Sequence, residues 1–432
     1  MTIRVTTYNR LWRIATLALL FSVSFSALSD NKVTKHKVEK QETVFGIAKK
    51  YGVTIEEILD ANPFMKEQDF MLKKDMELTI PQPSPKKKAT KEKKQVNIGV
   101  LLPLHDVNGD GKRMMEYYRG MLLAVEDLKK EGYNIRVNAW NAHEESDVKA
   151  FLTPETATCD VIFGPLYTKQ VRAVADFCMT KNIRLVIPFS ISGDDVKTCP
   201  QIFQVYQAPA DITAMSIDQY LKLFSKAHTV FIDCNDSQSK KGAFTLGLRS
   251  TLEEKGMTFN ITNLNNSIDI FAKAFAVNKP NVIVLNTGRS PELGKVLTKL
   301  DELTALVPAL KISMYGYNEW LMYTNVYGEK LRKYDTYIPS VYNYDESAQS
   351  IRNFKRRYQT TFQGDMQYAL PSFALTGYDH AMFFIKGIER YGKKFGGTAS
   401  QQSETPLQTP LNFQRVKNGG YENKAFMLIH FK

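Results

Sequence analysis

Residues 160–189 read DVIFGPLYTKQVRAVADFCMTKNIRLVIPF, and this stretch decides the fold of most of the chain. DVIFG from Asp160 and RLVIPF from Arg184 are short, near-continuous apolar runs. Between them, residues 168–181 carry an amphipathic helical pattern. An apolar strand with no polar alternation suits a parallel sheet covered on both faces, and a helix between two such strands is the crossover that parallel pairing requires.

Working outward, the same unit recurs. Apolar runs appear as VNIGVLL from Val96, IRVNAW from Ile135, TVFID from Thr229, NVIVLN from Asn281 and KISMYG from Lys311. Helical stretches fall at 113–130, 211–225 and 290–302. The alternation predicts a doubly wound α/β fold. The units come in two batches that divide near Ala208, so two lobes are expected: 96–208 with 342–405, and 209–341 with 406–432.

The chain has 432 residues, more than one ordinary core, and 43% of them are hydrophobic, so it is read as globular and multidomain. The net charge of +12 fits a nucleic acid, an anionic membrane surface or an anionic polymer. The N-terminus decides among these. Arg4, Arg10 and Arg13 precede an uncharged apolar run from Ile14 to Phe25, and small residues follow at Ser24, Ser26, Ala27 and Ser29. This is the layout of a secretory signal peptide over 1–29, and the run is short of the roughly 20 residues that span a bilayer. No cysteine lies near the cleavage region for lipid attachment. A periplasmic or envelope location follows, in which nucleic acid is not the expected partner.

Residues 34–81 read as a separate unit. A short strand begins at His36, and Val44, Ile47, Ala48 and Tyr51 recur at helical spacing up to Gly52, a C-terminal glycine. Thr54 and Glu57 have capping-box spacing before Ile55, Ile58 and Leu59, and the second helix stops at Asn62-Pro63. Residues 76–80 alternate like a strand, giving the order βααβ. The text HKVEKQETVFGIAKKYGVTIEEILDANP, followed by LKKDMELTIP, resembles the LysM family. It departs from the family pattern at Gln41-Glu42, where Gly-Asp is usual, and at Asp75, where glycine is usual. The resemblance implies binding of N-acetylglucosamine-containing glycan, here peptidoglycan. The groove would lie between Glu42, Thr43 and Val44 on one side and Asn62, Pro63 and Phe64 on the other. Thr43 is equally readable as a helix cap and Phe64 as a core residue.

Residues 82–95 form a linker. The text PQPSPKKKATKEKK from Pro81 has six lysines and three prolines and no large apolar residue, which makes an extended, solvated tether reaching roughly 40 Å. Its charge also suits an anionic lipid or polymer.

The stretch from 96 to 432 resembles type I periplasmic binding proteins of the branched-chain amino acid class. NIGVLLPL from Asn97, YYRGMLLAVEDL from Tyr117, the 160–189 stretch, IFQVYQ from Ile202, MYGYNEW from Met314 and GYDHAMFFI from Gly377 carry the likeness. The resemblance implies two hinged lobes with a solute between them, beyond the carboxyl ends of the strands. Tyr167 and Thr168 after one strand, Ser190 and Ser192 after the next, and Asn318 and Glu319 in the second lobe are the expected cleft residues. Hydroxyls and free amides there suit a carboxylate, and Glu319 suits an ammonium group, so an amino acid or short peptide is the expected ligand. Tyr167 is bulkier than the family's usual residue. A similar fold occurs in the lipoprotein activators of penicillin-binding proteins, which implies a sensor or regulator with an envelope protein as partner; an amino acid or peptide solute-binding protein of an ABC-type uptake system is the alternative.

Catalytic and metal patterns fail on inspection. Asp106, Asn108, Asp110 and Gly111 open like a calcium loop, but Tyr117 stands where a bidentate Glu is required. Residues 288–295 miss phosphate-loop spacing, 143–145 lack the second histidine of a zinc protease, and no G-x-S-x-G occurs. No enzyme, cofactor or metal is expected. Cys159, Cys178, Cys199 and Cys234 allow three full pairings; Cys178 with Cys199 is a candidate disulfide, and buried free thiols are the alternative.

Overall fold

The computed structural model describes residues 34–39, 42–68, 72–82, 94–190, 193–402 and 404–432. The signal-peptide reading and most of the linker lie outside them.

The N-terminal module pairs β1 (Thr34–Lys37) antiparallel with β2 (Glu77–Ile80), and α1 (Val44–Tyr51) and α2 (Ile55–Ala61) lie between them in sequence. Local chemistry sets each boundary. Thr43 Oγ1 accepts from Gly46 N at the start of α1, and Gly52 ends it at φ 69°. Thr54 and Glu57 exchange both bonds of a capping box at the start of α2. Asp75 adopts φ 68°, a left-handed turn that glycine enters freely and Asp tolerates. Val44, Ile47, Ile58, Met65 and Leu78 close the small core.

The first lobe runs through β3 (Val96–Leu102), α3 (Gly109–Lys130), β4 (Ile135–Asn141), β5 (Val161–Phe163), α4 (Thr168–Lys181), β6 (Arg184–Ile187), α5 (Asp195–Thr198) and β7 (Ile202–Gln204). The second runs through α6 (Pro209–Phe224), β8 (His228–Asp233), α7 (Gly242–Glu254), β9 (Phe259–Asn263), α8 (Ile268–Ala272), β10 (Asn281–Leu285), α9 (Ser290–Leu306), β11 (Ile312–Tyr315), α10 (Thr324–Lys333) and β12 (Thr336–Ser340). The chain then returns to the first lobe with α11 (Gln349–Phe362), α12 (Phe373–Tyr391), β13 (Phe413–Arg415) and β14 (Tyr421–Asn423), and ends on β15 (Met427–Phe431).

The sheets are ordered β13-β14-β7-β6-β5-β3-β4 and β15-β12-β11-β10-β8-β9. The first holds six parallel strands and the second five, in doubly wound order, which reverses between β3 and β5 in one lobe and between β8 and β10 in the other. Ligand crevices form at such reversals. Both sheets are covered by helices, as the unalternating strands require.

Three differences from the sequence expectation have physical causes. Helix α3 starts at Gly109 because Asn108 Oδ1 accepts from Gly111 N at 2.9 Å; the acidic stretch considered as a calcium loop is this cap. Cys178 and Cys199 are free and buried, as are Cys159 and Cys234, so the candidate disulfide is not formed. Burial pushes the Cys159 thiol up to about 12. Finally, 406–432 does not belong wholly to the second lobe. The Asp379 carboxylate accepts from the amides of Leu407, Gln408 and Thr409 at 2.7–2.8 Å. Phe413 packs edge-on to Phe203, and Tyr421 stacks on Phe203 at 4.5 Å. These contacts hold β13 and β14 on the first sheet, and only β15 crosses over.

The crossings are stitched together. Gln207 Nε2 donates to Ala425 O at 2.7 Å, and Lys424 Nζ lies 2.9 Å from both Asp211 and Glu422.

Candidate functional site

The module's groove would lie between the β1–α1 turn and the loop after α2. Glu42, standing where the family pattern has Asp, ties the turn together. Its Oε2 accepts from Glu39 N at 2.8 Å and lies 2.8 Å from His36 Nε2. That backbone bond, opposed by burial and helped by His36, lowers the Glu42 pKa. Thr43 is occupied as the α1 cap. Val44 is fully buried in the core and offers no side-chain surface to a sugar. Asn62 is 1% exposed and saturated: Nδ2 donates to Ile58 O and Thr79 O, both at 2.7 Å, and Oδ1 accepts from Thr79 N at 2.8 Å. It pins α2 to β2. As side-chain ligands, Val44 and Asn62 are therefore corrected to structural residues. Pro63 is exposed and Phe64 is 37% exposed, so these two carry the apolar surface.

In the first lobe, Tyr167 and Thr168 begin α4 after β5, and Tyr167, the residue before the helix, makes no side-chain cap bond. Tyr167 does not face across to the other lobe for its bond: its hydroxyl donates to Asp110 Oδ2 of α3 at 3.3 Å. Ser190 follows β6, and its Oγ is buried without a hydrogen-bond partner among the described residues. Ser192 lies outside the described residues.

In the second lobe, Asn318 and Glu319 follow β11. Lys241, the residue before α7, places Nζ 2.5 Å from Glu319 Oε1 and 4.6 Å from the centre of the Tyr317 ring. Tyr317 is itself fixed by its hydroxyl, which donates to Leu285 O at 2.5 Å. Gly288 leaves only 3.3 Å between a hypothetical Cβ and the Glu319 carboxyl, so the pair is backed by main chain. The acid expected to receive a ligand's ammonium already holds one from this chain. Sequence reading misses Lys241 because it sits 78 residues from Glu319 and carries no motif.

The comparisons agree with this architecture. Residues 36–81 match the LysM domain model. Among curated proteins, no relative matches the chain by sequence. Among solved structures, a putative branched-chain amino acid ABC transporter from Rhodospirillum rubrum is similar at 14% identity and TM-score 0.53, over 78% of this chain and 98% of that one. Full-length LpoA from Haemophilus influenzae is similar at 14% identity and TM-score 0.49, over 79% of this chain and 58% of that one. The chain thus combines a LysM domain with a type I periplasmic-binding-protein fold. At these identities the likeness speaks to fold alone. Among the described residues, no helix is long and apolar enough to cross a membrane.

Proposed function

We propose that this is an exported, non-catalytic envelope protein that holds peptidoglycan through its LysM domain and uses the two-lobed domain as a sensor or regulatory platform for another envelope protein. The observation that carries the regulatory reading is the Lys241–Glu319 pair. A clamp for a free α-amino acid needs an uncompensated acid for the ammonium, and that acid is compensated within the lobe. Attachment to the wall also suits a stationary sensor better than a carrier that must diffuse to a permease.

The second reading, a carrier of an amino acid or peptide, draws on the Ser190 hydroxyl and Glu319 Oε2, both buried and without a hydrogen-bond partner among the described residues.

The glycan reading is tested by sedimentation of the full chain with purified peptidoglycan. Retention in the pellet, reduced by Phe64→Ala, is expected. A chain that stays in the supernatant at low and moderate salt contradicts it.

A further inference from the structure

The loop after β3 and helices α3 and α11 line a recess of about 510 Å³. That volume is in the range of small-molecule and short-peptide sites. Leu104, Met115 and Tyr358 give it apolar walls, while Lys112 and Arg119 bring two cations to its lining. Among the described residues, neither cation has a carboxylate within ion-pair distance. Arg119 reaches only the Tyr358 hydroxyl, at 3.5 Å, and its guanidinium lies over the Phe362 ring at 5.4 Å. The nearby acid, Glu116, is turned away to the main chain, accepting from Gln367 N at 2.8 Å and Ala374 N at 3.3 Å. A planar guanidinium stacked on an aromatic ring and lacking an anion is oriented to take a carboxylate in a two-pronged contact.

The recess borders the LysM domain. Phe362, at the end of α11, packs on Arg119 on one side and on Phe45 of α1 on the other, with ring centres 6.3 Å apart. The next residue, Gln363, accepts from Leu72 N at 3.2 Å through its side-chain carbonyl. Leu72 lies in the loop between α2 and β2, and Phe45 follows the β1–α1 turn. Phe45, next to the Glu42–Val44 side of the expected glycan groove, thus touches the end of α11, and the Phe362 ring lies between it and Arg119 of the recess.

We propose that the recess is a second binding site, for a short carboxylate-bearing peptide: the stem peptide that branches from a glycan strand. This choice of peptide rests on the glycan reading of the LysM domain. A strand seated in the groove would carry its peptides beside Phe362, over the recess. Arg119 and Lys112 take the peptide carboxylate, and Asp106 and Asp365, which also line the recess, face the amine of a diamino acid side chain.

The test uses the full chain, calorimetry with free stem peptide, and sedimentation with peptide-free glycan prepared by amidase. Binding of the free peptide is expected, weakened about tenfold or more in Arg119→Gln, the scale of a lost charge-assisted hydrogen bond. Lys112→Gln, at an exposed position, is expected to weaken it without altering the melting curve, which separates binding from folding. Absence of peptide binding at millimolar concentration, or equal affinity in wild type and both variants, overturns the proposal. Loss of sedimentation with peptide-free glycan while free peptide still binds overturns the glycan reading and leaves the site standing.

Discussion

Lys241 Nζ and Glu319 Oε1 form an ion pair at 2.5 Å within the second lobe, at the end of the strand where a solute-binding lobe offers its acid to a ligand. The lysine is 22% exposed and the glutamate 42%, so solvent screens much of the attraction. Lys241→Ala is expected to cost about 1 kcal/mol, and the Lys241→Ala/Glu319→Ala double variant less than the sum of the single ones. Urea midpoints of the four proteins measure the coupling. Simple additivity would show that the two groups do not interact in solution.

In the LysM domain, two residues suggested by one motif separate by role. Asn62→Ala removes three buried hydrogen bonds and leaves main-chain groups of Thr79 and Ile58 short of partners, a loss of about 2 kcal/mol or more. Phe64→Ala trims a partly exposed ring and is expected to lower glycan retention with little change in stability. Melting curves read beside sedimentation distinguish the two. A stable Asn62→Ala protein that has lost glycan would return Asn62 to the binding surface.

Helices α3 and α12 approach at paired glycines. A Cβ on Gly120 would sit 1.9 Å from Ala374 O, and one on Gly377 would sit 2.0 Å from Tyr117 O. Backbone cannot yield that far without parting the helices, so Gly120→Ala or Gly377→Ala is expected to cost about 3 kcal/mol or prevent folding. Soluble yield and melting temperature are the readouts, and a wild-type melting temperature in either variant would contradict the packing.

His380 is fully buried beside Tyr117, whose hydroxyl is 2.9 Å from Nδ1, and burial pushes the imidazole down to about 3. The folded chain therefore resists a proton that the unfolded chain accepts near 6.5. Stability is complete above that value and is lost as pH falls from it toward 3, by up to about 1.4 kcal/mol per pH unit. Urea midpoints from pH 7 to 4 measure this. His380→Gln should flatten the part of the slope that begins near pH 6; an unchanged slope would assign it to other groups.

What was legible in the sequence was local. Gly52, the Thr54–Glu57 box and the stop at Asn62 mark out the LysM elements because caps and turns act over three or four residues. The apolar strands from Val96, Asp160 and Arg184 announce a parallel sheet because burial on both faces leaves no alternation. The glycines in YYRGMLLAVEDL and GYDHAMFFI acquire a reason in the α3–α12 crossing. Contacts between distant segments were not legible. The placement of β13 depends on Phe203 meeting Phe413, and the fate of Glu319 on Lys241 arriving from another loop. Asn62 stands in the LysM motif, yet only the β2 backbone beside it reveals its task.

The central claim is that Lys241 already compensates the charge of the cleft's acid through Oε1, while Glu319 Oε2 is buried with no hydrogen-bond partner among the described residues, and a thermal-shift titration of the full chain with the standard amino acids and short peptides tests it most directly. A ligand at a hundredfold excess over its Kd stabilises a fold by about 2.7 kcal/mol, a shift of a few degrees for a domain of this size. The expected result is an unchanged melting temperature for every free amino acid. A shift of a few degrees with any of them, abolished in Glu319→Gln, would contradict the regulatory reading and make the protein a solute carrier.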